Sequence, residues 1–156
     1  NCFVEGSFLD DSGSMVTGKN IGVSVRDDSD NDVAYGSFSD GQYRIGLQPG
    51  HYYLDVDRES VNPDYMVPMT WSDPQFDITV GAGETIERDF TFFKTDTAIY
   101  AKVLQNGVAG IPAASMYANA MNDTTGELSA TNDEAGYIRL AVRSGHKYSV
   151  QVGRYS

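Results

Sequence analysis

Four aspartates crowd one short stretch, Asp27, Asp28, Asp30 and Asp32, with Asn31 among them. Oxygen ligands at alternate positions suit a calcium ion, which Asp28, Asp30 and Asp32 would hold. The stretch lacks the turn glycine of an EF-hand loop, and Asp and Asn favour hairpin turns on their own account, so a solvated hairpin explains the same residues. His51 and His146 each follow a turn glycine and have no Ser, Cys or Asp constellation around them. A general base needs partners within hydrogen-bond reach, so no enzyme is expected. Trp71, flanked by Tyr65, Met66, Pro68 and Met69, is the best candidate for recognition, because long connections carry function more often than strands. Trp71, Tyr65 and Met69 would stack on a carbohydrate or anchor a protein partner. The competing expectation is that the loop buries Trp71 over the end of its own fold.

The single cysteine, Cys2, excludes an internal disulfide, and two histidines restrict any zinc site to borrowed carboxylates. Cys2 is a buried or terminal free thiol, or the lipidated first residue of an exported protein. Eleven Lys and Arg against 22 Asp and Glu give a net charge of -11, a field that repels phosphate backbones and argues against nucleic-acid binding. No run approaches the roughly 18 apolar residues of a spanning helix, so no transmembrane segment is expected. With 40% hydrophobic residues in 156, the chain has enough apolar material to fold as one large or two small domains.

The elements that must position these residues alternate with a period of two. Val4, Gly6 and Phe8 alternate with Glu5 and Ser7, and Tyr43, Ile45 and Leu47 alternate with Arg44, Gly46 and Gln48. Strands are expected near 3–10, 20–27, 33–38, 42–47, 51–57, 75–80 and 85–93, in an antiparallel sandwich punctuated by Gly, Asp and Pro turns. The chain also repeats itself. Gly41 to Tyr52 is echoed by Gly136 to Tyr148 at an offset of 136 − 41 = 95, and the same offset carries Val4–Phe8 onto Ile99–Val103. One extra residue after the second turn then matches Tyr52, Leu54, Val56 and Arg58 to Tyr148, Val150, Val152 and Arg154. Two modules are expected, residues 1–94 and 95–156. The second ends before its last two strands, which are expected from the remainder of a longer polypeptide or from another chain.

The run from Val4-Glu5-Gly6 through Asp40-Gly41-Gln42-Tyr43 to Leu47-Gln48-Pro49-Gly50-His51-Tyr52 resembles the regulatory-like domain of metallocarboxypeptidases, with its transthyretin-like (prealbumin-like) sandwich. Gly41, Tyr43, Leu47, Pro49, Gly50 and Tyr52 carry the likeness; the second copy departs at Ile138 and Ser144. The resemblance implies two tandem antiparallel Greek-key β-sandwiches, all-β and transthyretin-like, the second incomplete. It implies a non-catalytic, extracytoplasmic module of a larger exported bacterial protein, acting as spacer or adhesion surface. Collagen-adhesin B-type domains share the general sandwich and can carry a Lys-to-Asn or Lys-to-Asp isopeptide bond. Lys102 alternates out of phase with Ile99, Ala101 and Val103, so it is expected to face solvent and to remain charged.

Overall fold

A computed structural model describes residues 1–102, 104–105, 108–109, 116–133 and 137–154. Its strands are β1 (Cys2–Asp10), β2 (Ile21–Arg26), β3 (Asp32–Phe38), β4 (Gln42–Leu47), β5 (Gly50–Val56), β6 (Tyr65–Pro68), β7 (Asp77–Val80), β8 (Thr85–Glu87), β9 (Phe90–Lys94), β10 (Thr97–Lys102), β11 (Leu104–Gln105), β12 (Val108–Ala109), β13 (Met116–Asn122), β14 (Glu127–Asp133), β15 (Tyr137–Val142) and β16 (Ser149–Arg154). Three single 3-10 turns lie between β5 and β7, and among the described residues no helix is long and apolar enough to cross a membrane. The fold is all-β, as the alternation predicts. Two of its sheets face each other in the N-terminal part, β3-β2-β5-β7 and the sheet that holds β4, β1, β9 and β6.

The strand expected over 85–93 is broken, and both pieces run parallel to β1 rather than antiparallel. The cause is local. Gly6 has no side chain, and the carbonyl oxygen of Arg88 lies 1.9 Å from where its Cβ would stand. Arg88 N donates to Glu5 O, while the Asp89 carboxylate takes the Ser7 N–H that a regular ladder would pair with backbone. The Tyr43 and Tyr52 hydroxyls donate to Arg88 O (2.6 Å) and Gln48 O (2.7 Å). Gly41 has the positive φ its turn requires, whereas Gly50 has none; its missing Cβ leaves room for the Tyr52 ring.

Strand pairing reproduces the sequence repeat, apart from a bulge in β3 opposite Val25 and Arg26. In β1–β4, Val4 faces Ile45 and Gly6 faces Tyr43; 95 residues on (99 − 4), Ile99 faces Leu140 and Ala101 faces Ile138 in β10–β15. The β2–β3 ladder, with Val23 opposite Gly36, likewise becomes β13–β14, with Ala118 opposite Thr131. Val23–Val56 and Val25–Leu54 become Ala118–Val152 and Ala120–Val150, the extra residue falling between β15 and β16 as the sequence indicates. Val103, Ala135 and Gly136 of the sequence repeat lie outside the described residues.

Two hydrophobic centres result. The larger packs Phe8, Tyr43, Phe76, Phe90 and Phe92 with Val23, Val25, Leu54 and Ile78, and Phe76 stacks on Phe90 at 4.9 Å. The smaller is made of Ala118, Ala120, Ile138, Leu140 and Val142. Each borrows across the sequence boundary: Leu128 enters the first, with Met121 packed against it, and Met66 the second, with Phe93 packed against it. Between them β6 pairs with β9 on one edge and β14 on the other, so one sheet runs β16-β13-β14-β6-β9-β1-β4.

Candidate functional site

The connection from β5 to β7 holds the residues singled out for recognition. Asp57 accepts from Glu59 N to start it, Lys19 reaches Asp64 at 2.5 Å, and Thr70 Oγ1 donates to Asp55 Oδ1 at 2.8 Å. Short apolar residues then insert from both faces of β6: Met66 and Val67 are buried, as is Met69 beyond it. Tyr65 is half-buried against Phe92, with ring centroids 6.3 Å apart. A 3-10 turn turns Trp71 outward to 62% exposure, the opposite of the expectation that the loop would bury it. Trp71, Tyr65 and Met69 therefore share a connection but not a surface. Beside them a groove of about 350 Å³ is lined by Met69, Pro74, Phe76, Phe93 and the turn at 123–126.

The acidic hairpin distributes its charges between two partners. Asp27 caps the turn by accepting from Ser29 N and Asn31 N, which holds its carboxyl below the usual range. Asp28 meets His51 Nδ1 at 2.5 Å, and His51 Nε2 contacts Asp77 on the other side. Those two carboxylates, Asp28 first, raise the His51 pKa. Asp30 and Asp32 lie 3.2 and 3.6 Å from the Arg26 guanidinium, which also meets Asp55. Asp28 thus faces His51 while Asp30 and Asp32 share Arg26, and among the described residues no group of three His, Cys, Asp or Glu side chains is placed to hold a metal. His146 is exposed, while Cys2 is buried and its thiol donates to Leu47 O.

Two arrangements escaped the sequence reading. The first is the junction acid Glu127, fully buried at the start of β14. It accepts from Thr125 Oγ1 (2.6 Å), Tyr148 Oη and the Arg143 guanidinium. Burial opposes its ionisation, but these donors outweigh burial and leave the carboxyl below its ordinary pKa. Burial and the same carboxylate push Tyr148 up to about 12. Arg143 continues across the boundary to Asp11 at 3.4 Å and over the Phe93 ring at 4.7 Å. The second is the outer face of β10–β15, where exposed Tyr100 and Tyr137 alternate with Arg139 and Lys102. Arg139 lies over Tyr100 at 5.8 Å and Lys102 over Tyr137 at 5.2 Å. Lys102 is solvent-facing, as its phase predicts. The cue for this face was Tyr-x-Lys and Tyr-x-Arg where the first copy has Glu5, Ser7, Gln42 and Arg44.

No protein-family model matches the chain, and no curated protein matches it. Among solved structures it is similar to the Bacillus anthracis TIE protein, at 12% identity and a TM-score of 0.51 over 99% of this chain and 29% of that one. A streptococcal ancillary pilin matches at 10% identity and a TM-score of 0.42, covering 99% of this chain and 59% of that one. The major pilin subunit of Bacillus cereus matches at 11% and 0.44, covering 93% and 60%. The chain spans less than two thirds of each of these proteins. The first likeness supports the β-sandwich fold.

Proposed function

We propose that the chain is a non-catalytic structural module of a larger exported bacterial protein, a tandem of two transthyretin-like sandwiches, residues 1–94 and 95–156, that holds or displays neighbouring parts at the cell surface. The observation that supports this most is the junction. Two units with the same strand register share one sheet through β6 and β14 and are further tied by Arg143 to Asp11, an arrangement suited to keeping two units at a fixed angle. The likeness to regulatory-like domains supports the extracytoplasmic setting. Lipid attachment at Cys2 would require its thiol to leave the core. Antibodies raised against the chain should label intact, unpermeabilised cells of the source; labelling only after permeabilisation would contradict the reading.

A binding role is a second reading, favoured by the exposure of Trp71. Carbohydrate-array signal lost in Trp71→Ala would establish it, and a silent array with no captured protein partner would remove it. A third reading, completion of the second sandwich by a partner strand, draws on Val150 and Val152, which are 43% and 46% exposed where their counterparts Leu54 and Val56 are 2% and 3%. In the first unit those positions belong to the core cluster that also holds Ile78, Phe90 and Phe92.

A further inference from the structure

We propose that the free edge of β3 is the seat for a β6-type strand delivered by a module of the same design placed ahead of residue 1 in the polypeptide. The inference rests on the two-module reading and on one equivalence: β14 is β3 displaced by 95 residues (127 − 32), with the same register against its hairpin partner from Ile21–Phe38 to Val25–Ala34, beyond which β3 alone carries a bulge at Val33. In the C-terminal unit that edge is occupied. Leu128 pairs with Val67, Glu127 pairs with Pro68, and Met69 N donates to Gly126 O at 2.8 Å. The consequence for the side chains is large. Leu128 is 2% exposed and Ala130 8%, whereas their counterparts Val33 and Tyr35 stand 47% and 64% exposed on an edge that no described strand pairs with.

The occupant follows from what β6 is already doing. With β9 on one edge and β14 on the other, β6 of a second copy of this chain has no edge to give without opening its own junction. The donor is therefore the connection of a preceding module, covalently held at high local concentration. Its chemistry is short and apolar, like Tyr65-Met66-Val67-Pro68, because it must pack beside the exposed Val33 and Tyr35. A proline closing the strand suits a handover of few hydrogen bonds, since it supplies no N–H to the ladder. A different account of the same edge exists: β3 is bulged opposite Val25 and Arg26 and flanked by acids, features that also blunt edges against unwanted pairing.

The two accounts separate when residues 1–95 are fused directly ahead of Asn1 of the full chain, so that Asn1 takes the place Asp96 holds in the natural period. The added copy carries Tyr35→Phe, which distinguishes its β3 peptides by mass. Hydrogen exchange in residues 32–36 of the original copy should slow at least about tenfold relative to the unfused chain, a protection factor typical of newly paired amides. Val33→Glu in the original copy should return it to the unfused rate while β1–β4 stays protected. Unchanged exchange in 32–36, with β6–β14 protected, would overturn the docking proposal alone. Rapid exchange at β6–β14 in the unfused chain would overturn the two-module junction and the proposal with it.

Discussion

Residues 1–94 carry 6 Lys and Arg against 17 Asp and Glu (6 − 17 = −11), whereas residues 95–156 carry 5 against 5; the whole net charge belongs to the first unit. Their interiors differ as well. Val23 and Val25 give way to Ala118 and Ala120, and Tyr43 to Ile138. Yet the ladders keep the same partners. Backbone register therefore depends on alternation and on turn placement, which both units share, while charge and core volume are free to diverge. The hydroxyls of the matched tyrosines make the same point: Tyr52 closes its own hairpin on Gln48 O at 2.7 Å, whereas Tyr148 keeps the matching contact to Arg143 O only at 3.4 Å and also meets the junction acid Glu127.

If the first unit owes its stability to its aromatic centre, Phe90→Ala should be the most damaging change, costing about 3–5 kcal/mol in a urea titration, as expected for a large buried ring. A loss under about 1 kcal/mol would mean that the two interiors are equivalent after all. Next in size, Glu127→Ala leaves Arg143 partly buried without its carboxylate and should cost about 3 kcal/mol, with Glu127→Gln milder because the amide still accepts hydrogen bonds. Loss of the β6–β14 amide protection in Glu127→Ala would mark the acid as the clasp between units; intact protection would confine its role to the hairpin.

Much of this architecture was legible in advance. The strand at 42–47, the offset of 95 and the extra residue before Tyr148 all follow from alternation and turn residues, which act locally. What was illegible depended on distant partners. Tyr65–Pro68 reads as loop because four residues become a strand only when β9 and, some sixty positions later, β14 supply its edges. Glu127 reads as a surface acid beside a turn until Arg143 and Tyr148 enclose it. For Trp71 the sequence left recognition and burial over the end of the fold both open; Met66, Val67 and Met69 take the buried positions and leave Trp71 out. For Asp28, Asp30 and Asp32 the spacing was visible and the cations facing them, His51 and Arg26, were not.

A smaller contrast sits at matched positions of β5 and β16. Leu54→Ala should cost about 2–3 kcal/mol, and Val150→Ala less than about 1 kcal/mol, because only the former removes a fully covered side chain. Equal losses would show that Val150 is covered in solution, which favours completion of the second sandwich by a partner.

The smallest effect is one of pH. His51 is raised above 6.5 by Asp28 and Asp77, so its contribution is fully present below that value and fades as pH rises through its folded pKa. Glu127 is lowered, so its contribution is present above about 4.3–4.5 and fades as pH falls through its folded pKa. The alkaline slope should vanish in His51→Gln and the acid one persist. A His51 ring titrating at or below 6.5 by NMR would separate the hairpin from β7.

Backbone NOEs of the intact chain reach the repeat itself. Cross-strand contacts should link Val4 to Ile45 and Ile99 to Leu140, Val23 to Val56 and Ala118 to Val152, and Leu128 to Val67 across the junction. A second set slipped by one residue from the first, or no contact between Leu128 and Val67, would contradict two units of one register joined through β6.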